Sequence, residues 1–111
     1  MAAWFDLKKA KDGQFYFNLK AGNGETILTS EMYTAKDSAR NGIASVQANC
    51  KSAERYEKKT ASNGKFMFNL KAANHQVIGS SELYESEQSR DGGIASVQSN
   101  GGATTVKDHT A

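Results

Sequence analysis

The chain contains no proline, only one cysteine and no long apolar run. The absence of proline removes cis–trans isomerisation as a slow step of folding. Because Cys50 is alone, neither an internal disulfide nor a multi-thiolate metal site can form, which suits a reducing compartment. No segment approaches the ~20 apolar residues of a membrane-spanning helix, and the first residues lack the basic and apolar regions of a signal peptide. We therefore expect a cytoplasmic protein that is not inserted in a membrane.

Neither sign of charge predominates. The chain has 14 basic and 12 acidic residues, a formal net charge of +2, which permits weak contact with polyanions but does not argue for it. With 38% apolar and 23% charged residues, the composition is that of an ordinary globular protein. A length of 111 residues is sufficient for one domain.

What the chain does contain is one unit written twice, at a constant offset of 51 residues, the distance from Phe15 to Phe66. Such self-similarity indicates a duplicated structural unit. One copy alone would bury too small a fraction of its surface, so we expect both copies to share a core. The prediction is a single pseudo-twofold domain over 1–111, with repeats at about 1–52 and 53–108 and a disordered tail at 109–111. Residues 15–21 (FYFNLKA) recur as 66–72 (FMFNLKA), 30–33 (SEMY) as 81–84 (SELY), and 42–47 (GIASVQ) unchanged as 93–98.

Each repeat reads as three short strands, a helix and a further strand. In the first repeat Phe15, Phe17 and Leu19 alternate with polar residues, which places them on one face of a strand. Ile27 in the following strand is expected to face the same core. Because an antiparallel sheet can bury one face and expose the other, we predict an α+β fold. Two tandem β3-α-β repeats would form one antiparallel sheet, with two helices on one face and exchanged C-terminal strands.

The predicted helices have recognisable ends. Thr34 followed by Asp37 forms a capping-box pattern at the start of the first helix, and the second helix is expected to start near residues 85–86. Asn49 and Asn100 are expected to end the helices in the left-handed conformation that asparagine tolerates.

A glycine stands inside each predicted helix, Gly42 in the first and Gly93 at the equivalent place in the second. A mid-helix glycine costs about 1 kcal/mol relative to alanine. Its presence in both copies predicts that the helix backbone presses closely against the sheet at these two points.

Three segments carry a resemblance to a known family. FYFNLKAGNGE at residues 15–25, SEMY at 30–33 and GIASVQ at 42–47 resemble the YegP family, small bacterial proteins of uncharacterised function built around a domain of unknown function. The resemblance covers nearly the whole chain, twice over. It implies a β3-α-β repeat whose copies join in one sheet with exchanged C-terminal strands. Members with one copy would pair as homodimers, whereas this chain would carry its dimer internally, and the resemblance supplies no catalytic residues.

The strand alternation gathers basic and aromatic side chains on the sheet face that points away from the helices. Several proteins that bind single-stranded nucleic acid use such a face, stacking bases on rings and placing phosphates near cations. Asp6 and Glu57 fall on the same face, and the ribonucleoprotein motif is absent, which restrains this interpretation. The candidate binding residues are Trp4, Lys8, Tyr16, Asn18, Lys20, Arg55, Lys59, Met67, Asn69 and Lys71.

Signals for catalysis are weak. Glu31 beside Tyr33 offers a carboxylate and a phenol for acid–base work, but packing of the tyrosine under the helix accounts for the same residues. His75 and His109 are far apart and not repeated, so they do not indicate a metal site. We predict a non-enzymatic binding or structural module without a cofactor, with a protein as one class of partner. Single-stranded nucleic-acid or polyanion binding is the alternative, and the internal pairing favours a monomer.

Overall fold

The computed structural model describes residues 2–110 of the chain. Each half forms three strands followed by a helix, and a 3-10 turn at Ala53–Arg55 leads into the second half. The elements are β1 (Trp4–Lys9), β2 (Phe15–Lys20), β3 (Thr26–Ser30), α1 (Lys36–Asn49), β4 (Tyr56–Thr60), β5 (Phe66–Lys71), β6 (Val77–Ser80), α2 (Glu87–Asn100) and β7 (Val106–Asp108).

All seven strands belong to one sheet, in the order β4-β5-β6-β3-β2-β1-β7. The two repeats meet at its centre, where β3 and β6 pair antiparallel with Thr29 opposite Ser80. Both helices cover the same face of the sheet, α1 over Phe17 and α2 over Phe68. The predicted α+β class, with two repeats sharing one sheet, is confirmed.

Strand β7 comes from the second repeat but extends the sheet beside β1 of the first, with Phe5 opposite Val106. Strand β4, which follows α1, pairs in turn with β5 of the second repeat. The expected exchange of terminal strands is therefore present. The prediction of a wholly antiparallel sheet is wrong for one pair, because β7 runs parallel to β1. A strand that arrives after a helix has no tight turn to set its direction.

The core lies between the sheet and the helices and contains side chains from both repeats. Phe17, Leu19 and Ile27 are buried in it as predicted, but so is Leu28. In the pairing of β2 with β3, Leu19 lies opposite Leu28. The next residue of β2, Lys20, lies opposite Thr26 and not Ile27, so the register shifts by one residue at this point. Such a bulge places two consecutive residues, here Ile27 and Leu28, on the same side of the sheet. After the bulge the alternation of β3 is reversed, so that Thr29 points away from the helices.

The mid-helix glycines lie where the helices press on aromatic rings. A Cβ added to Gly42 would stand 2.5 Å from the Tyr33 hydroxyl oxygen and 2.9 Å from Cε2 of Phe17. The Tyr33 ring lies parallel to Phe17 at 6.5 Å between centroids. Gly93 stands over Tyr84 and Phe68 in the same way. The predicted close approach is confirmed, and its cause is a tyrosine wedged between helix and sheet.

The helix ends differ in part from the prediction. The predicted capping of α1 by Thr34 is wrong, because the helix starts one residue later. Its N-cap residue is Ala35, whose side chain makes no capping hydrogen bond. The equivalent position in α2 holds Ser86, which accepts a hydrogen bond from the amide of Ser89 as a helix cap should. Neither helix ends in the left-handed conformation, since Cys50 and Gly101 have φ of −62° and −67°.

Asn49 and Asn100 remain helical, and their side chains bond back to the preceding turn of the helix. Each donates its Nδ2 hydrogen to the carbonyl oxygen four residues back, at 2.8 Å in both helices. The left-handed turn expected at these two residues is therefore wrong, and a side-chain hydrogen bond within the last turn is found there.

The last described residues contact the rest of the chain. The amide of His109 donates to the carbonyl oxygen of Leu7, and both the amide and the hydroxyl of Thr110 donate to Asp108. The disordered tail at 109–111 stays a prediction, and Ala111 lies outside the described residues. Within residues 2–110, no helix has the length and apolar character needed to cross a membrane.

Candidate functional site

One polar residue from each strand aligns in a row across the sheet face opposite the helices, which we call the open face. In the strand register Asp6 faces Asn18, Asn18 faces Thr29, and Thr29 faces the second repeat. From one edge of the sheet to the other, this polar row is Lys107, Asp6, Asn18, Thr29, Ser80, Asn69 and Glu57.

Hydrogen bonds hold the row in place. Asn18 donates to the Thr29 hydroxyl at 2.9 Å, and the Ser80 hydroxyl donates to Asn69 at 2.6 Å. Asn69 in turn donates to Glu57 at 3.2 Å. Only 8% of Asn18 and 7% of Asn69 are exposed, so their neighbours on this face shield them. The middle of the open face is therefore a pre-ordered polar surface rather than a loose set of side chains.

Positive charge is concentrated on the open face. Five lysines share it with the two carboxylates of Asp6 and Glu57. Because the whole chain has a net charge of only +2, the open face holds more than the entire positive excess. The lysines are Lys8, Lys20, Lys59, Lys71 and Lys107.

Some of these cations already have partners. Glu57 contacts Lys71 at 3.0 Å and Lys59 at 3.7 Å. The bonds from Lys71 and Asn69 hold the pKa of Glu57 below its ordinary value, so this carboxylate stays ionised. Lys20 donates to the Thr26 hydroxyl. Among residues 2–110, Lys8 makes no ion pair, and it lies beside Tyr16 in the register.

The indole of Trp4 lies on the open face near the edge formed by β7. The Trp4 ring has the ammonium of Lys107 at 4.1 Å from its centroid, a cation–π contact. Its indole N–H donates to Asp6 at 2.8 Å, and His109 approaches the same carboxylate at 3.2 Å. The two contacts fix the orientation of the ring on the sheet.

Nine of the ten predicted site residues lie on β-strands of this face, and Arg55 does not. Arg55 occupies the place equivalent to Trp4, but the backbone there forms the 3-10 turn before β4. Its Nε donates to the side chain of Asn49 at the end of α1, at 3.2 Å. The assignment of Arg55 to the binding face is therefore wrong, since this cation stabilises the junction between the repeats.

Three members of the polar row escaped the sequence reasoning, namely Thr29, Ser80 and Lys107. Strict alternation from Ile27 would turn Thr29 inward, and only the bulge in β3 brings it to the open face. Lys107 could not be placed before the partner of β7 was known. The repeat itself was the one usable signal, because residues 29 and 80 are equivalent hydroxyl-bearing positions.

The carboxylate–phenol pairs do not form an activated site. Burial, with a smaller contribution from the Glu31 charge, raises the pKa of the Tyr33 hydroxyl. Burial likewise raises the pKa of Tyr84, helped by Glu82. Both phenols therefore stay protonated and serve as packing groups. Among the described residues, no cluster of three histidine, cysteine, aspartate or glutamate side chains is arranged to hold a metal ion.

Comparison with known proteins agrees with the duplicated architecture. The sequence matches the family described as Domain of unknown function (DUF1508) twice, at residues 10–57 and 61–108. It is 69% identical over 110 residues to the UPF0339 protein YegP of Escherichia coli strain K12, a match that covers 99% of this chain and 100% of that protein. The chain belongs to the YegP family.

Other members extend the likeness to sequence and to structure. The UPF0339 protein ACIAD0721 of Acinetobacter baylyi is 64% identical, over 99% of each chain. The solution NMR structure of E. coli yegP, described as a protein of unknown function, matches with a TM-score of 0.95 at 68% identity, covering 100% of this chain and 96% of that one. That of the Shewanella oneidensis protein SO3888 matches at 0.93 and 57% identity, over 99% and 93%. The resemblance drawn from the sequence is confirmed, and these bacterial relatives indicate no specific ligand or activity.

Proposed function

We propose that this YegP-family chain is a non-enzymatic binding module whose contact surface is the open face. The observation that carries the proposal is the polar row, whose side chains are hydrogen-bonded to one another. Side chains already held in place lose little conformational entropy on binding. A flat, broad surface of this kind suits a macromolecule better than a small substrate, which is usually bound in a concave pocket.

The ionisation of the side chains supports a role without catalysis. Burial raises the pKa values of Tyr33, Tyr56 and Tyr84, and of the Cys50 thiol, so these groups stay protonated. Salt bridges lower the pKa values of the carboxylates that shift, so those stay charged. A catalytic acid or nucleophile needs the opposite adjustment, a pKa moved toward the working pH.

Two further properties belong to the same proposal. The internal pairing of the repeats through β3 and β6 uses the surface that a single copy would offer to a second one, which supports a monomer in solution. The only cysteine is a buried free thiol, which supports residence in a reducing compartment such as the cytoplasm.

Affinity capture from bacterial lysate tests the role of the open face. A Met67→Glu variant places a new charge on that face, and Lys51→Glu changes an exposed residue after α1 as a matched control. We expect the control to retain the partners of the unaltered protein and Met67→Glu to lose them. Identical sets of partners for all three proteins would refute the assignment of this face.

Single-stranded nucleic acid or another polyanion is the second candidate, favoured by the five lysines that accompany Trp4 and Tyr16 on the open face. Exposed rings can stack on bases while ammonium groups approach phosphates. Binding of a labelled oligonucleotide should weaken as salt rises, because counterions are released. Lys8→Glu should reduce this affinity and Lys51→Glu should not. Absence of binding at low salt would eliminate this candidate and leave a protein partner.

A further inference from the structure

The two outer edges of the sheet are not equivalent, although the sequence is duplicated. Within residues 2–110, β1 is covered by β7 at one edge, and β4 pairs only with β5 at the other. A complete pseudo-twofold arrangement would need an eighth strand beside β4. It is missing because the strand that follows α1 serves as the first strand of the second repeat. The fold therefore contains one occupied strand slot and one empty slot.

The occupied slot shows how a strand is received. The amide of Phe5 donates to the carbonyl of Thr105 at 2.9 Å, and Gln47 on α1 donates its side-chain amide to the carbonyl of Ala103 at 2.7 Å. Val106 packs against the core. Backbone pairing, one helix amide and one apolar side chain together hold β7 in place.

Asp108 completes this contact electrostatically. Its carboxylate lies 2.6 Å from the ammonium of Lys36 and 3.1 Å from the guanidinium of Arg40, both on α1. The first slot therefore selects an acidic residue two positions after the apolar one.

The empty slot repeats the same receiving surface. A groove of about 290 Å³ runs between α2 and β4 and is open to solvent. Gln98 in it is the counterpart of Gln47, and among residues 2–110 its amide makes no hydrogen bond. Ile94 and Tyr56 line its apolar wall. The amide of Tyr56 is already bonded to Ala53 in the 3-10 turn, so a new strand would begin its pairing one group later.

The charges of the second slot are reversed on the helix. Glu87 and Asp91 stand where the first slot has Lys36 and Arg40, at the 51-residue offset. Lys58 on β4 pairs with Asp91 at 3.1 Å.

Lys58 and Arg90 determine how much of the negative charge of Glu87 and Asp91 remains available to a bound segment. The guanidinium of Arg90 is mostly buried over the Phe66 ring, where its Nε lies 3.6 Å from Asp91 and its Nη2 reaches Glu87 only at 3.8 Å. Glu87 is left with 69% of its side chain exposed. A cation entering the slot would therefore meet the poorly neutralised carboxylate of Glu87, whereas the aspartate of a second copy's β7 would be repelled by it.

We propose that the β4 edge and the adjoining groove bind an extended segment of another polypeptide as an eighth, parallel strand. The segment would carry an apolar residue over Ile94 and a lysine or arginine two positions later, facing Glu87 and Asp91. This is strand addition to a free sheet edge, in which backbone bonds give affinity and alternate side chains give specificity. The site is separate from the open face and does not depend on the function proposed for it.

Two synthetic peptides provide the test, one with the native sequence of residues 102–110 and one with Asp108→Lys. Each is titrated into the intact, isotope-labelled protein to about 1 mM, where weak complexes become visible by NMR. We expect the Asp108→Lys peptide to shift the amide signals of β4 and α2. It should bind about two- to fivefold more tightly than the native peptide, the order of effect of one exposed ion pair.

A variant of the protein itself should reverse the preference between the two peptides. Lys58→Leu, Glu87→Lys and Asp91→Arg together give the second slot the side chains of the first, so this protein should prefer the native peptide. Chemical denaturation establishes first that the variant is folded. The proposal is wrong if neither peptide perturbs β4 in either protein, if the shifts map to β1 instead, or if both proteins bind the two peptides equally.

Discussion

Two adjacent glycines in α2 allow the contact between helix and sheet to be measured directly. Gly93 faces the sheet, and a Cβ added there would lie 2.7 Å from Cζ of Tyr84 and 3.2 Å from Cε2 of Phe68. Gly92, one residue earlier, faces solvent and would place a Cβ with nothing within 4 Å. Substitution by alanine at the two positions therefore differs in packing and hardly at all in helix propensity.

The magnitudes follow from this geometry. Alanine at Gly92 should raise the free energy of unfolding by about 0.5–1 kcal/mol, the usual gain over glycine inside a helix. Alanine at Gly93 gains the same amount but must displace a rigid, stacked tyrosine, and overpacking of a filled core costs about 1–3 kcal/mol. Because the propensity gain cancels, the difference between the two variants measures the steric conflict alone.

Urea denaturation followed by circular dichroism gives both free energies, and unchanged m-values would show that the unfolding transition is comparable. Gly92→Ala should unfold at higher urea than the unaltered protein, and Gly93→Ala should be less stable than Gly92→Ala by about 1–3 kcal/mol. Gly42→Ala should behave like Gly93→Ala, since it meets Tyr33 and Phe17. Equal stability of the two α2 variants would refute the interpretation that a tyrosine forces the helix to carry glycine.

Three other predictions concern the core, the terminal strand and the thiol. Phe17→Ala and Phe68→Ala should each lower the free energy of unfolding by about 3–5 kcal/mol, because both rings are fully buried; a loss below about 1 kcal/mol in chemical denaturation would contradict the assigned strand faces. The bond from Lys36 keeps the pKa of Asp108 well below its ordinary value, so this carboxylate stabilises the fold above about pH 4 and loses its effect as the pH falls further. The stability difference between the unaltered protein and Asp108→Asn should shrink on acidification, and a constant difference across the pH range would refute the ion pair. Cys50 is fully buried, so a thiol reagent should label the native chain far more slowly than the urea-unfolded chain; equal rates would contradict its burial.

The sequence was sufficient wherever local pattern decides the structure. The alternation of apolar and polar residues predicted that Phe17 and Phe68 are buried. Because the same alternation occurs in both repeats, each repeat supports the prediction made for the other. The same reasoning recognised Gly42 and Gly93 as points of close approach, because an unfavourable helix residue kept in both copies needs a steric cause. For the open face, alternation gave nine of the proposed positions correctly.

Sequence patterns did not predict the structure correctly where the local backbone depends on residues distant in the chain. The bulge at Leu28 reverses the alternation of β3, and no turn or glycine marks it in the sequence. The parallel direction of β7 is not fixed by a tight turn, and the segment that leads into β7 contacts α1 through Gln47, which is distant in the chain. Arg55 was misplaced because the junction between the repeats is a 3-10 turn that follows a helix, whereas the equivalent Trp4 already lies in β1. The complete polar row required both the strand order and the bulge.

The packing at the pseudo-twofold axis explains why the duplicated chain is more than a tethered dimer. Gly79 is the counterpart of Leu28, and a Cβ added to Gly79 would lie 3.1 Å from Cγ of Leu28. Gly101 is the counterpart of Cys50 and touches it in the same way. At an exact twofold axis a residue meets its own copy, so two large side chains would clash and two glycines would leave a void. Divergence of the copies permits a large–small pair at each point.

The two positions are coupled through the Leu28 side chain, although a Cβ at Gly79 would also lie 2.8 Å from the backbone carbonyl oxygen of Thr29, a contact that the exchange does not relieve. Gly79→Leu should destabilise by overpacking and Leu28→Gly by opening a cavity, whereas the double exchange restores one large and one small residue. We expect the double variant to be more stable than the sum of the single losses by about 0.5–3 kcal/mol, the coupling typical of residues in contact. Additive losses in urea denaturation would mean that the two halves are packed independently of each other. A favourable coupling would show that the repeats have specialised into complementary halves of one core.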